Sequence, residues 1–165
     1  DEGLAIGRLD GRFMGDEGDK VSEGPHLGDA SDYQISSAFT ASLNYYFANT
    51  LKVKMDRPYL TSNEDIGNKW RWKPVPDGTY WEPMPVDVAD QLGETMRRNT
   101  AMKVLVASGY YDLICPFFDT EYTFSRHNIV RERIDLKYYE AGHMMYVHDP
   151  DYLKLCADIR EFLSK

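Results

Sequence analysis

Two short strand-like segments in the last third of the chain constrain the fold most strongly. Residues 103–108 form a continuous apolar run, which is typical of a parallel strand covered on both faces. Residues 134–139 alternate apolar and polar side chains, as an edge strand does. Helical patterns precede, separate and follow these two segments. The order helix–strand–helix–strand–helix predicts an α/β fold with a parallel pair of strands.

Three helices are predicted around these strands. The first begins at Pro85 and ends at residues 97–99, and the second includes residues 122–127. The third has Asp149 as its N-cap and Pro150 as its first residue. Apolar side chains recur at helical spacing in two of them, and these stripes should face the core. They are Val88, Leu92 and Met96 in the first helix, and Tyr152, Leu155, Ile159 and Phe162 in the last.

Upstream of these elements, residues 1–85 form a different kind of segment. Residues 1–32 are rich in acidic side chains and glycine and predict a solvated loop, because the acids lack the spacing of a calcium loop. A capping-box pair, Ser31 and Gln34, then starts a helix. Its apolar face, expected to pack on a core, comprises Ile35, Phe39, Leu43, Tyr46 and Phe47.

Residues 56–85 carry five prolines and three tryptophans, which disfavour regular structure beyond a turn or short strand. A long irregular stretch of this kind is typical of a cap or of a segment that lines a site. The predicted organisation is therefore a cap-like segment over 1–85 and a core segment over 86–165.

Composition excludes several function classes. The formal net charge of −8 disfavours binding to nucleic acid, which needs clustered Lys and Arg. The sequence contains no run of 18 apolar residues, so no membrane span is predicted. No glycine-rich loop opens a helix for a nucleotide phosphate. His143 and His148 lie five positions apart rather than four, so no metal site is predicted. Two cysteines can form one bridge, but buried free thiols fit a chain without a disulfide framework better.

An acid and a histidine follow the two strands. Asp112 lies in the loop after the first strand, and His143 lies in the loop after the second. Ligands bind outside the carboxyl ends of strands in open α/β sheets, so these two side chains are placed to meet. A histidine that acts as a general base needs a carboxylate on its far nitrogen. Taken singly, Asp112 is also explained as a turn or N-cap residue, and His143 as a hydrogen-bonded loop histidine.

The surrounding motifs resemble those of the serine carboxypeptidase family. Gly-Tyr-Tyr-Asp-x-x-Cys-Pro at 109–116 is followed by Tyr-Glu-Ala-Gly-His-Met at 139–144. The resemblance is strongest over residues 100–165, and Gly7-Arg8-Leu9-Asp10-Gly11-Arg12-Phe13 is similar to the bacterial branch of the family.

This resemblance implies the C-terminal part of an α/β-hydrolase fold and gives four residues a role. Asp112 would be the triad acid and His143 the general base. Cys115 and Met144 would bind substrate in the pocket for the leaving residue, and plain core packing is the alternative for both. The resemblance implies no cofactor, a peptide substrate, and a secreted or periplasmic protein.

One part of the expected triad is missing from the chain. The nucleophile of such enzymes lies in Gly-x-Ser-x-Gly, and no serine here has glycine on both sides at that spacing. We therefore expect a C-terminal portion of a longer enzyme, whose N-terminal portion is its partner and supplies the serine. Alone, the chain should be inactive and poorly folded, because a two-stranded parallel sheet leaves an edge unpaired.

Three other interpretations remain open from the sequence. An esterase or acyltransferase of the same fold would share the acid and the histidine. A non-catalytic, degenerate hydrolase module would have lost its serine. The presence of both Asp112 and His143 speaks against this interpretation, because neither is needed for packing. A plain α/β domain would match the two motifs by chance.

Overall fold

The computed structural model describes residues 3–19, 21, 23, 28–70 and 87–165. Helices and strands are mixed, and the chain divides into two compact units. The first unit joins the described residues up to 36 with residues 89–165, and the second covers residues 37–88. The sequence instead predicts one segment over residues 1–85, and Pro85 and its neighbours lie outside the described residues.

The two predicted strands form a parallel pair in the first unit. Strand β3 (Val104–Gly109) pairs with β4 (Ile134–Tyr139), in a register that aligns the first residues and the last residues of both. This confirms the mixed α/β character of the segment. Within the described part of the chain each strand pairs only with the other, and residues 104–107 are half-buried. Among the described residues, the full cover expected on both faces of β3 is therefore not present.

Three helices flank this pair, with bounds that differ from the sequence expectation. Helix α3 (Ala89–Arg98) ends where predicted. Helix α4 (Phe117–Phe124) begins and ends earlier than residues 122–127, because His127 adopts a left-handed φ of 58° that no helix continues. Helix α5 (Asp149–Ser164) already includes Asp149 and has His148 as its N-cap, so the predicted cap is wrong by one residue. The carboxylates in its first turn, Asp149 and Asp151, interact favourably with the helix dipole.

A small apolar cluster holds α3 against the segment that leads into β4. Ala89, Met96 and Ile129 are buried at its centre, and six partly buried apolar side chains pack around them: Leu92, Met102, Val104, Phe124, Val130 and Ile134. Val88 is 65% exposed, so only part of the predicted stripe of α3 is buried. In α5 the predicted stripe is half-buried or exposed throughout.

Arg133 closes the C-terminal end of α3. Its guanidinium donates to the carbonyl oxygens of Met96, Asn99 and Met102 at 2.7–3.2 Å. The Met96 carbonyl lies in the last turn of α3, where carbonyls lack a partner four residues on, so this contact stabilises the helix end. Gly93 is needed in α3 because a Cβ there would lie 2.2 Å from the carbonyl oxygen of His127.

The described residues of the acidic N-terminal segment include a folded hairpin, where the sequence predicts a solvated loop. Strand β1 (Leu4–Ile6) pairs antiparallel with β2 (Met14–Asp16). The connecting residues 7–13 form a turn whose Asp10 is only 3% exposed. The sequence prediction was wrong here because the partners that bury Asp10 come from the other end of the chain.

Helix α1 (Ala30–Tyr45) continues into a π-helical turn at Tyr46–Thr50. Its cap is Asp29, whose Oδ1 accepts from the backbone N–H groups of Ser31 and Asp32. The predicted capping box is therefore wrong. Ser31 is buried and its Oγ accepts from the Leu9 N–H, while Gln34 donates to the Met14 carbonyl. Both side chains stabilise tertiary contacts instead.

The second unit contains most of α1, the π-helical turn and the short helix α2 (Glu64–Lys69). Asn63 caps α2 by accepting from the Ile66 N–H, so one regular element does occur in the segment predicted to be irregular. The apolar face of α1 is half-buried or exposed, with Phe39 45% exposed, and does not form the predicted core face. Residues 71–86, which include the second half of the Pro/Trp-rich segment predicted to be cap-like, lie outside the described residues. Among the helices described, none has the length and apolarity of a membrane span.

Candidate active site

Asp112 lies three residues beyond the end of β3 and is 5% exposed. Its Oδ1 accepts two backbone hydrogen bonds at 2.9 Å, from the N–H groups of Ile114 and Cys115. These bonds stabilise the turn that leads to Pro116, the N-cap of α4. Asp112 is thus a turn residue, but these bonds use only one of its two carboxylate oxygens.

The second oxygen faces His143. Oδ2 of Asp112 lies 2.8 Å from Nδ1 of His143. The histidine side chain is 43% exposed and the aspartate side chain 6%. A carboxylate only accepts, so in a neutral imidazole this bond places the proton on Nδ1 and leaves Nε2 as an acceptor. The structure therefore brings together the two residues that the sequence singled out.

The strand register explains why these side chains meet. Gly109 and Tyr139 are partners at the ends of β3 and β4, so both loops leave the sheet side by side. The backbone N–H of Tyr110 donates to the Tyr139 carbonyl, and that of Tyr111 donates to the Ala141 carbonyl, each at 3.0 Å. A Cβ at Gly109 would lie 2.2 Å from the carbonyl oxygen of Gly142. Glycine at this position lets the two loops approach closely.

Residues 7–13, here named the hairpin turn, contact both loops. Toward the loop of Asp112, Gly11 N–H donates to the Tyr111 carbonyl at 2.8 Å, and the Arg8 carbonyl accepts from Leu113 N–H at 2.9 Å. The hairpin turn thus fixes the backbone on both sides of Asp112.

Toward the loop of His143, the contacts are equally short. The Leu9 carbonyl accepts from the backbone N–H of His143 at 2.6 Å. Oδ2 of Asp10 accepts from Gly142 N–H at 3.0 Å. The hairpin turn therefore bridges two loops that are far apart in sequence.

An ion pair between the buried Asp10 and the more exposed Arg12 stabilises the hairpin turn. Arg12 holds both carboxylate oxygens of Asp10, Nη2 to Oδ2 at 2.7 Å and Nε to Oδ1 at 3.0 Å. Its Nη1 donates to the Glu140 carbonyl at 2.7 Å, and its guanidinium lies 4.5 Å from the ring centroid of Tyr111. Burial alone would raise the pKa of Asp10, but the hydrogen bonds and charge of Arg12 outweigh it and lower the pKa.

Cys115 and Met144, the predicted substrate-binding residues, lie beside this pair in sequence. Cys115 is exposed and Met144 half-buried, so neither is the core residue of the alternative interpretation. Cys156 is half-buried, and both cysteines are free, as predicted, although not buried. Although the residue is exposed, partial desolvation of its sulfur and the charges of Asp112 and Asp119 raise the pKa of the Cys115 thiol.

Asp112, Cys115 and His143 also form a possible metal-binding set. One ligand atom from each lies within 4.8 Å of the others. Sulfur, nitrogen and carboxylate donors suit Zn²⁺, a metal the sequence spacing did not predict. The carboxylate and Nδ1 already bind each other, so a metal bound through those atoms would replace that hydrogen bond.

Aromatic side chains surround the start of the Asp112 loop. They are not among the predicted site residues. Tyr110 stacks on Tyr138 with ring centroids 5.6 Å apart, and Phe117 meets Tyr110 edge-on at 5.3 Å. Burial, together with the hydrogen bond to Glu121, raises the pKa of Tyr138 to about 12. The signal in the sequence was the density of aromatic residues at both strand ends.

A second histidine–aspartate pair lies nearby and was also missed. Nδ1 of His148 is 2.6 Å from Oδ2 of Asp151, whose Oδ1 accepts from Glu140 N–H at 3.2 Å. Asp151 is 5% exposed and lies in the first turn of α5. The spacing of three residues at a helix start was the available signal. This pair stabilises the start of α5 against the loop of His143.

Comparisons with known proteins add no relative. No protein-family model matches the chain, and neither the curated proteins nor the solved structures yield a match. The family resemblance therefore depends on the sequence motifs alone, and the chemistry of the site depends on its geometry.

Proposed function

We propose that this chain supplies the acid and the base of a serine-type hydrolase of the α/β-hydrolase fold. The observation that carries the proposal is the 2.8 Å hydrogen bond between Asp112 Oδ2 and His143 Nδ1. A buried carboxylate on Nδ1 holds the imidazole in the tautomer that accepts a proton at Nε2. The larger exposed fraction of His143 supports its role as the group that contacts a substrate or nucleophile.

The nucleophile comes from outside this chain. A serine in the N-terminal portion of the same protein would give its proton to Nε2 of His143 as it attacks the substrate carbonyl. The imidazolium that forms is stabilised by the Asp112 carboxylate. His143 then protonates the leaving group and later takes a proton from the water that hydrolyses the acyl-enzyme.

For the substrate, we propose the C-terminal residue of a peptide. The support is the similarity of residues 109–116 and 139–144 to the motifs of serine carboxypeptidases. Cys115 and Met144 are proposed to line the pocket for the leaving residue, since each lies within a few positions of Asp112 or His143. In the same proposal the protein is secreted or periplasmic.

The experiment uses the protein that contains this chain, purified and checked by intact mass for a nucleophile-bearing portion. A fluorophosphonate reagent should label one serine in that portion. Incubation with a peptide that has a free C-terminus should release single residues, seen as a mass ladder from that end.

Three other results would each reject part of the proposal. Cleavage of simple esters without any peptide ladder identifies an esterase or acyltransferase. Folded protein that neither reacts with the fluorophosphonate nor cleaves either substrate identifies a non-catalytic module. A folded, monomeric 19.1 kDa chain without a second portion rejects the two-part hydrolase altogether.

A further inference from the structure

We propose that Arg12, acting through Asp10, is a positioning residue for His143: the ion pair of the hairpin turn holds the His143 loop against the Asp112 loop. The kinetic consequence of this inference rests on the proposed function, whereas its geometric part does not. Neither residue carries a role in the motifs that relate Asp112 to His143.

Apart from the sheet and the direct contacts between the two loops, the hairpin turn joins the loop of Asp112 to the loop of His143. Two of its hydrogen bonds go to the backbone around Asp112, and three go to residues 140–143. The strand ladder ends at Tyr139, four residues before His143. Beyond that point, the position of His143 depends on contacts with the hairpin turn, on the bond from Tyr111 N–H to the Ala141 carbonyl, and on the bonds of Glu140 to Tyr111 and Asp151.

The carboxylate of Asp10 transmits the effect of Arg12. Asp10 is 3% exposed and its Oδ2 accepts from both Arg12 and Gly142. A buried carboxylate needs a partner charge, and the planar guanidinium supplies two parallel hydrogen bonds to it. Removing that partner leaves Asp10 unpaired, so its side chain must leave the buried position or become protonated. Either change weakens the bond to Gly142, the residue before His143.

Arg12 also binds the His143 loop directly. Its third nitrogen donates to the Glu140 carbonyl at 2.7 Å while the other two hold Asp10. A lysine ammonium is a compact point charge that cannot span these three acceptors in fixed geometry. The guanidinium is therefore the specific requirement, and positive charge alone is not sufficient.

The test compares Arg12→Lys and Asp10→Asn with Arg8→Lys in the full protein that contains this chain. Arg8 is the matched control because its 70% exposed side chain binds Asp29 rather than the site. Two properties are measured: kcat and KM on the peptide substrate, and the Nδ1 proton resonance of His143 in protein labelled with ¹⁵N-histidine. Assignment uses His143→Gln. A hydrogen bond to a carboxylate moves that resonance downfield.

We expect Arg12→Lys to lower kcat by about ten- to a hundred-fold with little change in KM, because a small misplacement of a catalytic group costs up to about a hundred-fold. The downfield Nδ1 resonance should weaken or disappear in this variant and persist in Arg8→Lys. An unchanged resonance with reduced kcat would overturn the inference, since Arg12 would then act on something other than the histidine.

A double variant, Asp10→Asn with Arg12→Met, covers the case in which a single change prevents folding. It removes both charges and leaves no buried ion unpaired. If it folds with the wild-type Nδ1 resonance, the positioning role is rejected. If the resonance is present in the wild type and lost in Arg12→Lys while no form hydrolyses peptides, the positioning role stands and the proposed function fails.

Discussion

Gly142 donates its backbone N–H to Oδ2 of Asp10 across 3.0 Å, joining residues that lie 132 positions apart in the chain. The next residue, His143, donates its own N–H to the Leu9 carbonyl at 2.6 Å. The N-terminal hairpin turn is thereby part of the support of the candidate site. Its one acidic residue, Asp10, belongs to a segment that in sequence resembles a solvated loop, yet it helps to place the histidine beside Asp112.

Loss of the histidine should abolish hydrolysis in the proposed enzyme. His143→Ala is expected to lower kcat by several powers of ten, and Asp112→Asn by about 10⁴-fold because the imidazole loses its tautomer. Both are measured with the peptide substrate in the full protein, with unfolding followed in parallel to show that each variant is folded.

The matched control for His143→Ala is His127→Asn. His127 also binds a carboxylate, with Nδ1 3.0 Å from Oδ1 of Asp90, but it lies in the loop after α4. Asparagine tolerates its φ of 58°. Activity should remain within about twofold. Equal losses in the two variants would show that His143 matters for folding rather than for chemistry.

Gly142→Ala should destabilise the protein. A Cβ there would lie 2.3 Å from the Leu9 carbonyl oxygen and 2.5 Å from Cβ of Asp10, so the backbone of the hairpin turn must move. We expect a loss of about 1–3 kcal/mol in the free energy of unfolding, measured with urea. Gly18→Ala is the control, because a Cβ at Gly18 meets nothing within 4 Å. A Gly142 variant as stable as the control would mean that the His143 loop and the hairpin turn are not closely packed.

The thiol of Cys115 should react slowly for an exposed cysteine. Burial, and then the charges of Asp112 and Asp119, raise its pKa, so less thiolate is present at neutral pH. The pH at which iodoacetamide alkylation reaches half its maximal rate should lie above that of glutathione. The measurement uses Cys156→Ser protein.

Asp119→Asn should lower that half-maximal pH, since it removes one of the two negative charges near the thiol. In the proposed enzyme, alkylation at Cys115 should also reduce hydrolysis by at least about ten-fold, because its sulfur lies within 4.8 Å of the ligand atoms of Asp112 and His143. Full activity after complete alkylation would place the leaving-residue pocket elsewhere.

Acid should weaken the link between the hairpin turn and α1. Burial tends to raise the pKa of Asp29, but hydrogen bonds from Ser31 and Arg8 lower it to about 2. A lowered folded-state pKa contributes stability that is present above the ordinary value of 3.8 and is lost as the pH falls toward 2.

We expect this contribution to be on the order of 1–2 kcal/mol after solvent screening. It is measured as the difference in urea unfolding free energy between about pH 5 and about pH 2.5. Asp29→Asn keeps a good N-cap but loses the charge, so its stability should change less over this interval. An identical pH dependence in the two proteins would contradict the assignment.

Local patterns predicted the elements that depend on nearby residues. Both strands of the sheet were found within one residue, because a short apolar run between helical patterns is distinctive. The helix caps were predicted less well. Ser31 has the composition of a cap, but its hydroxyl binds Leu9, and Asp29 takes over the capping role.

By itself the sequence determined the α/β order of the C-terminal segment and the two loops that carry Asp112 and His143, because strand ends follow from local periodicity. Only the tertiary structure decided that Nδ1 of His143 meets Asp112 and that the pair Asp10–Arg12 supports the loop of His143. Burial of Asp10 depends on partners at the far end of the chain. A contact of that kind leaves no periodic trace in the residues around it, since its free energy arises only when both segments are folded together.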